Sequence, residues 1–250
     1  MRYLICAVLA TLAVSPASMQ TDRERDQARA HLRAGQEAME IESWDVAERE
    51  FQAAIGLDPR LELAHYGLGQ VYMNTKRYTK AIDAFVSSRN VFRANVADDQ
   101  ERGLQFERRV DEQLVQFRDM RRSLESGRVR SRDLRGSLRR IDDQIRQLER
   151  IRQRSHGAAE PIPPYIQIAV GSAYFRTGAF GDAEREWRQA LEVDAGIGEV
   201  HNNLAVVCML TGRYDEAEEE IQLAEKNGFR VSPGLKDDVK AKRAASRKKI

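Results

Sequence analysis

The chain has 250 residues, of which 42% are hydrophobic, 32% charged and 7% aromatic, a balance that allows a buried core and suits long solvated helices. Six prolines and a low content of strand formers argue against a β-rich fold, and two cysteines, Cys6 and Cys208, exclude a disulfide framework in a chain that loses Cys6. The net charge of +2 conceals a segregation: residues 98–156 carry +4, the tail 236–250 carries +5, and 157–235 carries −7.

Residues 1–17, MRYLICAVLATLAVSPA, combine one basic residue, an apolar run from Tyr3 to Val14, and the small residues Ser15 and Ala17 at a cleavage position. The run is short for a membrane span. It predicts a signal peptide cut after Ala17, hence an exported protein, periplasmic or extracellular; left uncleaved, it would be a membrane anchor. Cys6 stands too early in the run to be a lipoprotein acceptor.

Thr21 followed by Glu24 fits a capping box at a helix start. From there to residue 95 the chain reads as two helix–turn–helix units of thirty-four residues, with turns at Ser43-Trp44 and at Lys76-Arg77-Tyr78. Pro59 stops the first unit, because the residue before a proline is pushed out of helical geometry. The second has Arg93 at that position, so nothing forces its last helix to end.

Residues 96–157 read as an insertion. Val110, Leu114, Phe117 and Leu124 form one stripe, and Leu134, Leu138, Ile141, Ile145 and Leu148 another with the spacing of a two-helix seam. Pairing Leu124 with Leu134, Phe117 with Ile141, Leu114 with Ile145 and Val110 with Leu148 predicts an antiparallel coiled-coil hairpin turning at 126–131, with arms of ~38 Å at 1.5 Å per residue. A competing reading takes the same stretch as two decayed repeats. It is disfavoured because the expected turns fall near Val110 and Asp143, where no helix breaker stands.

The Pro/Gly linker 158–163 closes the insertion. Two further units fill 164–231, with turns at Thr177-Gly178 and Thr211-Gly212, and 232–250 reads as a helix capping the stack through Leu235 and Val239, followed by a basic tail.

The four units share columns: Gly35, Gly69, Gly171 and Ala205; Ala47, Ala81, Ala183 and Ala217; Phe51, Phe85, Trp187 and Ile221. This pattern resembles the tetratricopeptide repeat, although the family's leading Trp column holds His31, His65, Gln167 and His201. The resemblance implies an all-α helical-repeat solenoid, here carrying a long antiparallel two-helix insertion, that binds a protein or peptide segment on its inner face. The columns matching that face hold Leu32, Gln36 and Met39; Leu63, Tyr66, Gln70, Met73 and Asn74; Tyr165, Ile168, Ser172, Phe175 and Arg176; and Asn202, Val206 and Met209, with Asn203 beside them. The Lys/Asn/Arg clamp that some members use on a partner's terminal carboxylate is missing, Asn203 alone matching it. Apolar anchors and adaptable Met side chains are the expected mode of contact.

No phosphate-binding glycine loop, nucleophile elbow or metalloprotease helix occurs, and no cofactor or small-molecule substrate is expected. The stacked histidines read as packing residues, because equivalent positions of neighbouring repeats are 8–10 Å or more apart, whereas zinc ligands converge to about 2 Å. Cys208, in a column where two sisters have Tyr, reads as a buried thiol. Around the hairpin turn Arg121, Arg122, Arg128, Arg130, Arg132 and Arg135 form a basic tip. Two readings stand: a contact with an anionic membrane, polymer or nucleic acid, or a solvated coiled coil in a chain that uses 33 Arg against 8 Lys. The second is favoured, since no aromatic residue interleaves with the run. Self-association through the hairpin is a further expectation.

Overall fold

The computed structural model describes residues 16–127, 134–154 and 160–247, and among these there are ten α-helices and no strand. They are α1 (Pro16–Glu40), α2 (Trp44–Leu57), α3 (Glu62–Asn74), α4 (Tyr78–Glu125), α5 (Leu134–Arg154), α6 (Pro164–Thr177), α7 (Phe180–Val193), α8 (Gly198–Leu210), α9 (Tyr214–Lys226) and α10 (Pro233–Arg247). The leader up to Ser15 lies outside the described residues. The chain divides into two compact units, Met1–Val91 with Ile162–Ile250, and Phe92–Pro161.

In the first unit a large side chain on the second helix of a repeat lies against a residue with little or no side chain on the first. The Phe51 ring, on α2, sits so close to α1 and α3 that a Cβ placed on Gly35 would come within 2.7 Å of it, and one on Gly67 within 2.5 Å. Phe85 leaves the same clearance of 2.5 Å at Gly69, and Trp187 at Gly171. Trp187 further donates its indole N–H to the Ile168 carbonyl, at 3.2 Å. Glycine is required at these positions for close approach, and the aromatic ring fills the space that a side chain would have taken.

The turn inside each repeat has one geometry. Glu42, Lys76, Gly178 and Gly212 occupy the same column, and all have positive φ, 55°, 60°, 81° and 80°. The residue after each donates its backbone N–H to a carbonyl five positions back: Ser43 to Ala38, Arg77 to Tyr72, Ala179 to Tyr174 and Arg213 to Cys208. This is the Schellman arrangement, which satisfies the last carbonyls of the first helix. In repeats 3 and 4 glycine meets the left-handed requirement without strain, whereas Glu42 and Lys76 bear it with a Cβ.

Two turns are clasped from the preceding repeat. Arg77 donates from both terminal nitrogens to the Glu48 carboxylate, at 3.1 and 2.7 Å, while its Nε bonds Thr75 Oγ1 at 2.9 Å. Arg213, Glu184 and Thr211 repeat the motif at 3.0, 2.5 and 3.1 Å, four repeat lengths further along. The two N–H donors match the planar carboxylate, a geometry that a lysine could not supply.

Repeats 2 and 3, separated in sequence by the insertion, touch directly. Tyr165 of α6 stands edge-on to Tyr66 of α3, with ring centroids 5.0 Å apart, and donates its hydroxyl to Glu62 at 2.8 Å. Arg89, in the part of α4 that belongs to this unit, pairs with the buried Glu186 of α7 at 2.7 Å. The four repeats therefore form one stack. At its far end Val239 of α10 is fully buried with Ala217, Ile221 and Val231, and Ser232 accepts the Leu235 backbone N–H as a helix cap.

Two local expectations change. Pro16 opens α1, so Thr21 lies inside the helix rather than at its start; a first-turn proline suits a position whose N–H has no helical partner. The basic tail is helical as far as Arg247, and Arg243 pairs with Asp215 at 2.5 Å and Glu218 at 3.5 Å.

The second unit holds most of the 48 residues of α4 together with α5. Neither helix breaks at Val110 or Asp143, which removes the reading as two decayed repeats. The helices are antiparallel: Arg121 pairs with Asp142, Arg118 with Glu149, and Arg152 with Asp111. Val110, Leu114 and Leu148 are buried between them with Phe117, Ile145 and Ile151. The register lies about one turn from the predicted pairing, and Leu134, the expected partner of Leu124, is 42% exposed. A seam of apolar residues three and four apart presents much the same face after a slide of one turn, so the stripe alone leaves the register open. The cross-helix ion pairs distinguish the two.

Gly69→Ala is expected to lower the stability of the stack by about 1–3 kcal/mol through overpacking against Phe85. Gly56→Ala, in the same helical class with nothing within 4 Å, is expected to raise it by up to about 1 kcal/mol; urea unfolding followed by circular dichroism measures both. The clasps make acid stability a second test. The Arg77 bond holds the Glu48 carboxyl below its ordinary 4.5 against the opposing effect of burial, and Arg213 does the same for Glu184. A lowered carboxyl contributes stability that is complete above 4.5 and is lost as pH falls through the lowered value. Melting temperature should fall below pH 4.5, and Glu48→Gln with Glu184→Gln should make that fall shallower while lowering the value at neutral pH.

Candidate binding site

A pocket of about 280 Å³ opens where repeats 2, 3 and 4 meet, lined by Met73 of α3, Ser172, Phe175 and Arg176 of α6, Trp187 of α7, and Glu199, Asn203 and Val206 of α8. The stack builds its floor. Trp187, seated against Gly171, lies beneath the pocket, and Phe175 lies against it at 5.9 Å and against Phe180 at 5.5 Å. Met73 supplies a flexible, polarisable wall. The rim carries opposite charges from helix ends: Arg176 in the last turn of α6 and Glu199 in the first turn of α8, each where the helix dipole favours its sign. Neither makes an ion pair among the described residues, so both are available to a ligand.

Of the inner-face residues read from the sequence, Met73, Ser172, Phe175, Arg176, Asn203 and Val206 line this pocket. Tyr66 and Tyr165 lie beside one another at the junction of repeats 2 and 3. Burial pushes the pKa of both phenols up, and the hydrogen bond to Glu62 pushes that of Tyr165 up further. Leu63 is 44% exposed on the same helix as Tyr66. Asn74 bonds the Gln70 carbonyl of its own helix. Asn202 is half-buried on α8.

Four residues of that set pack against the core. Leu32 is 9% exposed and packs with Ala47, Phe51 and Val71, Met39 lies against the same cluster, Ile168 against that of Trp187 and Leu204, and Met209 against that of Cys208 and Ile221. The first helix of a repeat touches its own second helix and also the next repeat, so its apolar stripe is wider than the inner face, and column position alone cannot separate lining from core. Trp187 and Glu199 were not among the predicted lining. Trp187, in the column opposite Gly171, is 2% exposed and borders the pocket from the core side.

The stacked histidines are tied individually. His31 Nδ1 meets Glu50 at 2.7 Å, and the buried His201 meets Glu220 at 2.7 Å and the Ala195 carbonyl at 3.2 Å. Among the described residues no group of three or more His, Cys, Asp or Glu is placed to hold a metal ion. Cys208 is fully buried, and burial pushes its thiol up to about 11.

At the hairpin turn Arg128, Arg130 and Arg132 lie outside the described residues. Arg121 pairs with Asp142 and Glu125, and Arg122 with Asp119, so these two charges are already matched within the hairpin; Arg135 is exposed.

A family model described as tetratricopeptide repeat matches residues 25–88 and 169–228. Similar solved structures include TTC0263, a thermophilic TPR protein of Thermus thermophilus, with 18% identity over 87% of this chain and 99% of that one and a TM-score of 0.34. YrrB, a TPR protein with an unusual peptide-binding site, matches at 15% identity over 92% and 100%, with a TM-score of 0.31. MamA of Desulfovibrio magneticus matches at 12% identity over 81% and 96%, with a TM-score of 0.32. No curated protein matches the chain.

Proposed function

Because residues 25–88 and 169–228 are tetratricopeptide repeats, a fold that supports protein–protein interaction scaffolds, we propose that this chain is a non-enzymatic scaffold that takes an extended or helical protein segment at the junction of repeats 2, 3 and 4. The supporting observation is the pocket of Met73, Phe175, Trp187 and Val206, whose apolar floor is contributed by three repeats and whose rim offers Arg176, Glu199 and Asn203. An apolar anchor side chain of the partner enters the floor, and the rim orients the partner backbone, the division of labour that recurs in ligand sites. Arg176 and Glu199 select for charges flanking that anchor, by attraction on one side and repulsion on the other.

Two substitutions test this. Met73→Ala and Phe175→Ala leave the glycine seats untouched, so helix content is expected to stay at the wild-type level, while crosslinking from an envelope extract is expected to lose the partner bound by the wild type. Retention of every partner by both variants contradicts binding at this pocket.

The cellular compartment is proposed from the leader. Residues 1–17 direct export, and the mature chain begins at Ser18. Intact-mass measurement of protein purified from its own cells is expected to give the chain without its first seventeen residues; a mass that includes Met1–Ala17 contradicts cleavage and leaves the leader as an anchor.

A further inference from the structure

Repeats 1 and 4 carry a histidine–carboxylate pair across their two helices, and repeat 2 has the histidine alone. In repeat 1 His31 Nδ1 contacts Glu50 nineteen residues later, and in repeat 4 His201 Nδ1 contacts Glu220 at the same spacing, both at 2.7 Å. Repeat 2 has His65 in the column, but nineteen residues later stands Ala84. The ring of His65 is nevertheless held as in repeat 4: its Nε2 faces the Pro59 carbonyl at 3.1 Å, as His201 Nε2 faces that of Ala195 at 3.2 Å. With Nε2 committed, Nδ1 of His65 has no partner among the described residues.

Where the glutamate stem and carboxylate stand in the sister repeat, repeat 2 has a groove of about 380 Å³. His65, Leu68, Tyr72 and Ala84 line it, with Ile55 from repeat 1. The position equivalent to Gln52, another lining residue, is Arg188, whose guanidinium reaches Glu220 at 3.9 Å in repeats 3 and 4. Two shortened side chains, Ala84 for Glu220 and Gln52 for Arg188, thus open a cleft within the size range of ligand sites. Its walls are apolar, and its polar groups are His65 Nδ1, the Tyr72 hydroxyl, Ser87, which donates to the Asp83 carbonyl, Gln52, whose amide N–H donates to Glu48 at 3.4 Å, and two rim charges, Lys80 and Asp83. Lys80 makes no ion pair among the described residues and lies over the Tyr72 ring at 5.6 Å.

We infer that this groove binds a glutamate side chain of a partner protein segment, together with an aliphatic neighbour. The carboxyl group takes the place that Glu220 has in repeat 4, sharing one proton with His65 Nδ1, within reach of the Lys80 ammonium. The glutamate stem and the aliphatic residue pack on Leu68, Ile55 and Tyr72. Asp83 at the rim disfavours a second acidic residue, so the segment carries one glutamate between apolar residues rather than an acidic run. The groove shares no residue with the pocket of repeats 2, 3 and 4, and the inference does not rest on that pocket being occupied.

The test is a titration of the full chain, ¹³C-methyl-labelled at alanine and leucine, with N-acetyl-Leu-Glu-Leu-amide to millimolar concentration, read by NMR. Saturable shifts of the Ala84 and Leu68 methyls are expected, with the Gln analogue binding about tenfold more weakly and the Ala analogue more weakly still. Ala84→Glu, which supplies the carboxylate from the chain itself as repeats 1 and 4 do, is expected to abolish the response with helix content and melting temperature kept. Phe175→Ala is expected to leave it unchanged, which separates this groove from the other pocket. No saturable shift in the wild type, equal binding of the three peptides, or undiminished binding by a folded Ala84→Glu variant would each overturn the inference.

Discussion

The contact between an aromatic ring and a glycine on the facing helix sets the spacing on which the stack depends. Phe51, Phe85 and Trp187 are large and rigid, and they fit because Gly35, Gly67, Gly69 and Gly171 present bare backbone. That contact fixes how near two helices stand, and the near approach brings the rest within reach: the turn closed on itself in all four repeats, the Glu48–Arg77 and Glu184–Arg213 clasps, and the histidines facing carboxylates nineteen residues away. In repeat 4 Ala205 and Ile221 make the same exchange with less contrast in size.

A repeated geometry makes its departures informative. Repeats 2 and 3 are consecutive in space though not in sequence, and their junction carries what the others lack: the Tyr66–Tyr165 contact, the hydroxyl bond to Glu62 and the buried Arg89–Glu186 pair. A buried ion pair gains little net stability after desolvation, yet it penalises any alternative packing that separates its members. Both candidate binding surfaces are likewise departures. One lies at that junction, over Phe175 and Trp187; the other lies where Ala84 stands in the column that holds a glutamate in repeats 1 and 4.

Much of the fold was legible in the residues, because a helix–turn–helix unit forced to pack against copies of itself must repeat its small, large and left-handed positions at a fixed interval. The run-on of α4 past Arg93 was readable for the opposite reason, since nothing there stops a helix. What was not legible depends on choices between near-equivalent packings. The seam of the hairpin admits two registers one turn apart, and ion pairs such as Arg121–Asp142 separate them. Leu32 reads as groove lining from its column, yet it is buried in a cluster with residues of α2 and α3. The charge of the hairpin turn was visible as composition, but the matching of Arg121 and Arg122 with neighbouring acids was not.

By itself, the sequence determined four helix–turn–helix repeats in two pairs, the break that admits two long helices between the second and third, the positions of the turns, and the residue types on each helix face. Local geometry and periodicity decide these, and both are written in the order of side chains. Only the tertiary structure decided which apolar residues line a pocket and which fill the core, that repeats 2 and 3 close on one another, and that His65 keeps the posture of its sisters without their carboxylate. Each of these depends on distances between residues far apart in the chain, which no single stretch of sequence encodes.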